Sequence, residues 1–177
     1  HIKLKWSLIF LLLVSVNTFA TNGTNDSDDC VREKELVKQN LAIFDDLDFN
    51  VFTNQKWDEF THSHADDIVV HWPDGRMTTG LKTHIDDLKH MFTYAPDTRI
   101  TEHPIKFGSG EWTSATGVME GTFTKPMVMP DGKVVAPTGK KFKITMATIG
   151  HWENGKMVEE FLFWDNSTFM KQIGLLK

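Results

Sequence analysis

Two groups of side chains have the types and spacing to do chemistry. The first is "THSHADD", where His62, His64 and Asp66, with His71 just beyond, could be assembled into a metal-ligand set. Ligands must converge on one point, and alternate residues share a face only on a strand. This stretch reads as the end of a helix running into a loop, so solvated polar groups are expected and no metal is assigned. The second is "GHWENGKMVEEFLFWD", with His151 near its start and Asp165 at its end. Phe161, Phe163 and Trp164 would remove water from Asp165, and desolvation raises a carboxyl pKa toward the range of a general base or acid. The competing reading is a helix cap, because "DNSTFMKQIG" looks like a short helix opened by Asp165 or Asn166. Strand parity adds a constraint. If Asn154-Gly155 is a two-residue turn, His151 faces the side of Val158, Glu160, Leu162 and Trp164, and Asp165 the side of Met157, Glu159, Phe161 and Phe163. Only a bulge or a longer turn would bring both into one pocket.

Other chemistries lack their residues. There is no Gly-x-Ser-x-Gly elbow, no glycine-rich phosphate loop and no dinucleotide fingerprint. Cys30 is the only cysteine, so no internal disulfide can form, and it has no histidine nearby to activate it. The net charge of −5 gives no footing on phosphate backbones, which excludes nucleic acid as a partner.

The elements that must position these groups follow from periodicity. Lys3 and Lys5 precede the short apolar run "WSLIFLLLVSV", and Thr18 and Ala20 supply small residues for cleavage, so residues 1–20 read as a secretory signal peptide. Its removal takes two lysines and no acid, leaves an acidic domain, and predicts a secreted or periplasmic chain with no membrane attachment. Residues 21–32 are polar and acidic, a disordered lead-in, and residues 33–177 form one domain. Asn22, Asn25 and Asn166 stand in glycosylation triplets. Apolar spacing predicts a helix from Glu33 to about Leu47, a second over "NQKWDEFTHSH", and a third over "LKTHIDDLKHMFTYA" before Pro96. "DDIVVHW" is a strand ended by "PDG". After Pro96 come two extended runs around Gly108-Ser109-Gly110, then "KKFKITMATIGHW" and "KMVEEFLFWD", an α+β arrangement. The long connection "KPMVMPDGKVVAPTGKK" reads equally as a lid or as a plain β-excursion turning at Asp131-Gly132.

The order of elements, with "ADDIVVHWPDG", "TTGLKTHIDDLKHMFTYAPD", "PTGKKFKI", "HWENGKMVEEFLFWD" and "KQIG", resembles the SnoaL-like polyketide cyclase branch of the nuclear transport factor 2-like superfamily. The resemblance implies a curved antiparallel sheet wrapped around N-terminal helices into a cone with an apolar pocket, and commonly a homodimer. It implies cyclase or isomerase-like acid/base chemistry without metal or cofactor on a small hydrophobic, carbonyl-containing molecule. Asp165 is placed as general base or acid and His151 as the donor beside the enolate oxygen. It also implies that Phe161, Phe163 and Asp165 point into the cone. Strand position adds His71, Trp112, Met119 and Phe123 as pocket wall. The alternative is a non-catalytic binding protein using the same pocket.

Overall fold

A computed structural model describes residues 23–177. Residues 1–20, expected from the sequence to be a signal peptide, lie outside the described residues. Among the described residues, no helix is long and apolar enough to cross a membrane.

Helix α1 spans Gly23–Asp46, so it starts ten residues before the Glu33 expected from periodicity. Residues 26–36 are solvent-exposed, and Asp29–Arg32 and Glu35–Lys38 form ion pairs along this part of the helix. Such a stretch buries no apolar stripe, so hydrophobic periodicity has nothing to report there. The C-terminal half of α1 does pack, with Phe44 buried. One wide turn, Leu47–Phe52, follows directly, its chain closing with the Thr53 amide donating to the Asp48 carbonyl. The wide turn rotates Leu47, Val51 and Phe52 into the core. The second expected helix is a single tight turn, Trp57–His62, not opened by Asn54, with Phe60 buried and Trp57 half-buried.

Strand β1 then runs His64–His71, two residues earlier than "DDIVVHW" suggests, and β2 (Met77–Thr79) folds back on it. Helix α2 occupies Leu81–Tyr94. The remaining strands of the large sheet are β3 (Arg99–Ile100), β4 (Lys106–Ser109), β5 (Trp112–Thr122), β8 (Lys141–Glu153) and β9 (Lys156–Trp164). Their order is β2-β1-β9-β8-β5-β3, with β4 also paired to β5. Every pairing is antiparallel except β1 beside β9, which is parallel and brings the first half of the chain against the last strand. This is the curved, open sheet over N-terminal helices that the sequence predicts. Helix α3 (Asn166–Gln172) closes the end.

Between β5 and β8 the chain forms a small separate hairpin, β6 (Met127–Val128) with β7 (Val134–Val135). Met127 is buried and Thr138 Oγ1 donates to the Ile173 carbonyl at 2.5 Å, so the long connection is a docked β-excursion. Two glycine positions are dictated by geometry. Asn154 and Gly155 both have positive φ (52° and 77°), the tight hairpin turn that their dipeptide signals. At Gly108 a Cβ would lie 2.8 Å from Val37 Cγ1 and 2.5 Å from the Trp112 carbonyl, so only glycine lets α1 lie against β4.

Sheet register decides the site. Glu153 pairs with Lys156 and Trp152 with Met157, but His151 pairs with Glu159, leaving Val158 as a bulge. Met157 and Glu160, three apart, therefore both face the core, whereas an unbulged strand would put them on opposite faces.

Candidate active site

The inner face of the sheet carries Glu160 and Leu162 from β9, Thr148 and Trp152 from β8, and Met119 from β5, with Phe123 just past its end. Met119 and Phe123 thus sit on the interior, as strand position suggested. The other four wall candidates do not. Phe163 and Trp112 are exposed at 50% and 42%, and His71 and Phe161 lie half-buried on the same outer face. There His71 stacks on Phe161 at 4.1 Å between ring centres, and His71 Nε2 lies 2.8 Å from Glu159 Oε1. His151 stacks on Trp112 at 4.4 Å, with its Nε2 3.4 Å from Glu111 Oε2. The bulge at Val158 does bring His151 onto the face of Phe161 and Phe163, but that face is the outside of the cone. The expectation that Phe161, Phe163 and Asp165 point inward is overturned, because alternation counted from the turn cannot register an extra residue in one strand.

Asp165 itself lies beyond β9 and is exposed. It caps α3, accepting hydrogen bonds from the Ser167 and Thr168 amides at 2.9 and 3.2 Å and from Thr168 Oγ1 at 2.6 Å. The Thr168 hydroxyl and these amides hold its carboxyl below the usual range. Desolvation, the ground for reading it as a base, is not its environment.

The buried carboxylate is Glu160. It lies on the inner face at 4% exposure, with His84 Nε2 3.2 Å and His64 Nε2 3.8 Å from its Oε2. His64 is the first residue of β1, against β9 through the parallel pairing, and is buried at 1%. Of the residues weighed as metal ligands, His62 and Asp66 are solvated as expected and His71 is on the outer face. His64 is the correction: the strand begins earlier than its apolar run, and its first side chain turns inward. His84 comes from α2, on the stripe of Leu81, Ile85 and Leu88. Sequence reading missed Glu160 and His84, yet both carried a signal. His84 stands one turn from Leu81 and one from Leu88, on an otherwise apolar face, and Glu160 alternates with Leu162.

Burial opposes the charge of Glu160, but the two imidazoles beside it outweigh burial and hold its carboxyl well below the usual range. The polar bonding is incomplete. Ser63 Oγ donates to the Phe60 carbonyl and lies 2.9 Å from His64 Nδ1, which must then donate to it. Among the described residues, His64 Nε2, His84 Nδ1 and Glu160 Oε2 have no hydrogen-bond partner.

Trp72 forms the partition between this cluster and solvent. Its ring is 5.7 Å from that of His84 and meets Trp164 edge-on at 6.4 Å. Its Nε1 donates to Thr78 Oγ1 at 2.9 Å, and the Arg76 guanidinium lies over its face at 5.2 Å. Outside it is a cleft of about 430 Å³ lined by Trp72, Pro73, Arg76, Trp164 and Asp165, within the size range of small-molecule sites.

A profile of the SnoaL-like polyketide cyclase family matches residues 47–173. The chain belongs to that family. Solved structures agree on the fold. A SnoaL-like protein of Jannaschia sp. CCS1 superposes with a TM-score of 0.69 at 16% identity, covering 80% of this chain and 96% of its own. IdmH of Streptomyces antibioticus gives 0.65 at 22% identity, covering 77% and 99%. A SnoaL-like polyketide cyclase of Agrobacterium tumefaciens gives 0.59 at 21%, covering 78% and 98%. No curated protein matches the chain. The family and its cone place the protein with cyclase and isomerase-type functions in general.

Proposed function

We propose that this chain is an exported enzyme of cyclase or isomerase type, acting on a small apolar carbonyl compound by proton transfer at His84. The observation that supports this reading is the ionised, buried Glu160 carboxylate 3.2 Å from His84 Nε2, one tryptophan away from a cleft where the apolar surfaces of Trp72, Pro73 and Trp164 meet the polar groups of Asp74, Arg76, Asp165, Asn166 and Ser167. Substrate lies in the cleft with Trp72 displaced from its Thr78 bond. His84 takes a proton from the carbon next to the carbonyl and returns it after rearrangement. Glu160 stabilises the imidazolium between those steps, as a carboxylate does for a histidine base. The role assigned to Asp165 from sequence passes to this pair, since an exposed, capped carboxylate lacks the poise of a base. The outer face, with Trp112, Ile149 and Phe163 exposed, is suited to the expected homodimer.

The test is proton–deuterium exchange, followed by NMR, at the carbon between the carbonyls of apolar cyclic 1,3-diketones. His84→Gln should lose about 10²–10⁴-fold in exchange rate, and Asp165→Asn should keep it. Loss in Asp165→Asn with an intact His84→Gln variant would restore the assignment to Asp165.

A further inference from the structure

We infer that His64, His84 and Glu160 form a binding site for one divalent transition-metal ion, of the zinc or cobalt class. Their ligand atoms all lie within 4.8 Å of one another, and all three residues are buried. They come from three elements, β1, α2 and β9, so the fold and not a local turn assembles the set. Bonds of about 2.0–2.1 Å at tetrahedral angles put neighbouring ligand atoms about 3.4 Å apart. The observed 3.2 Å and 3.8 Å separations to Glu160 Oε2 bracket that value.

Donor chemistry carries the argument further. Ser63 Oγ and the Phe60 carbonyl lie 2.9 and 3.3 Å from His64 Nδ1, so that side of the ring is bonded and Nε2 is the atom turned on a carboxylate oxygen, 3.8 Å away. A buried carboxylate that faces two imidazole nitrogens and bonds neither in line leaves its charge incompletely met in a dry interior, and a cation between them would meet it. Histidine ligands to metals are oriented in this way, the far ring N–H held by an oxygen while the other nitrogen faces the ion. Two atoms without a partner among the described residues, His64 Nε2 and Glu160 Oε2, mark this unmet demand, and His84 faces them through Nε2, 3.2 Å from Glu160 Oε2. Two imidazoles and one carboxylate suit zinc or cobalt better than magnesium or calcium, which select oxygen. The remaining coordination position falls on the Trp72 side, since Ser63 and Phe60 occupy the far side of His64.

The relation to the proton-transfer reading is competition: where that reading holds, an ion between His84 Nε2 and Glu160 takes the carboxylate that stabilises the imidazolium. The ion then acts as an inhibitor whose removal restores turnover.

The experiment uses the folded protein stripped with EDTA and titrated with Co²⁺, followed by visible d–d absorption, with Zn²⁺ added to displace it. One equivalent should bind with tetrahedral bands, and Glu160→Gln and His64→Gln should each weaken binding at least tenfold. His71→Gln, on the outer face, should bind as the parent does. Glu160→Gln is nearly isosteric, so it reads the site even if His64→Gln fails to fold. No Co²⁺ band, or a band unchanged in Glu160→Gln, which would place the ion elsewhere such as exposed Cys30, overturns the inference. Diketone exchange by the same stripped protein separates the two ideas. Exchange without Co²⁺ binding removes the ion and keeps the proton transfer; Co²⁺ binding with no exchange in stripped protein keeps the ion and removes the proton transfer.

Discussion

Two buried histidine–carboxylate clusters lie in this fold, and they are finished to different degrees. At the base of α1, His103 is fully enclosed between Asp45 and Asp48, with Nδ1 2.7 Å from Asp45 Oδ1 and Nε2 2.8 Å from Asp48 Oδ2. Lys106 also bonds Asp45, at 2.5 Å, and Phe44 and Phe49 pack on the imidazole. Every polar atom of that ring is satisfied. In the cone, His64, His84 and Glu160 keep three atoms without a partner. A satisfied cluster rigidifies the structure around it, whereas an unsatisfied one keeps a standing demand for a proton, an ion or a ligand. The wide turn Leu47–Phe52 belongs to the first kind: it places Asp48 and Phe49 against His103 and so locks α1 to the segment between β3 and β4. Chemistry belongs with the second.

The largest expected effect is the exchange loss of about 10²–10⁴-fold in His84→Gln, measured per folded molecule. A variant that lost stability in proportion to activity would erase the distinction between the clusters. Next is His103→Ala, which leaves two carboxylates facing each other in the interior. Its denaturant unfolding free energy should fall by about 3 kcal/mol, the range for breaking a buried pair, with exchange per folded molecule retained.

The same latch has a pH signature. Burial works against the charge of His103, but the hydrogen bonds to Asp48 and Asp45 outweigh it and raise the pKa. A raised histidine pKa contributes stability in full below the unfolded value of about 6.5, and that contribution is lost as pH rises through the folded value. Burial raises the Asp45 carboxyl, but Lys106 and His103 outweigh it and lower the pKa, so its share is present above about 3.8 and disappears on acidification. Asp48 runs the other way, its carboxyl raised by burial beyond what His103 offsets, so its share is present at acid pH and lost as pH rises through its folded value. Unfolding free energy measured against pH should lose its alkaline fall in His103→Gln. A fall that survives in that variant would assign it to another group.

The smallest effect is at Asp165. Asp165→Ala removes the cap of α3 and should lower the melting temperature by a few degrees, while Asp165→Asn should match the parent, since asparagine caps as well as aspartate.

Much of the fold could be read before any coordinates. The three helical regions, the β-hairpin at Asn154-Gly155 and the open sheet all follow from periodicity and turn chemistry. Helix α1 reaches further toward the N-terminus than apolar spacing can detect, because residues 26–36 are exposed and form no buried stripe. The site was less legible. Asp165 carried both a catalytic and a capping reading, and the local helix signal was the one realised. Alternation put His151 and Phe161 on opposite faces, and the resemblance put Phe161 inward, whereas the bulge at Val158 brings both to the outer face. His64, His84 and Glu160 sit far apart in the chain, and each taken singly resembles an ordinary polar residue.

The amino-acid sequence by itself determined the element types, the tight turns, the cap at Asp165 and the family, because these depend on neighbours within a few residues or on the order of whole segments. Tertiary structure alone decided which face of β9 is inside. The bulge at Val158 shifts the register by one, and with a side-chain period of two a single residue exchanges the faces. That shift, together with the parallel seating of β1 on β9 and the packing of α2 over them, turned three separate polar residues into one buried cluster.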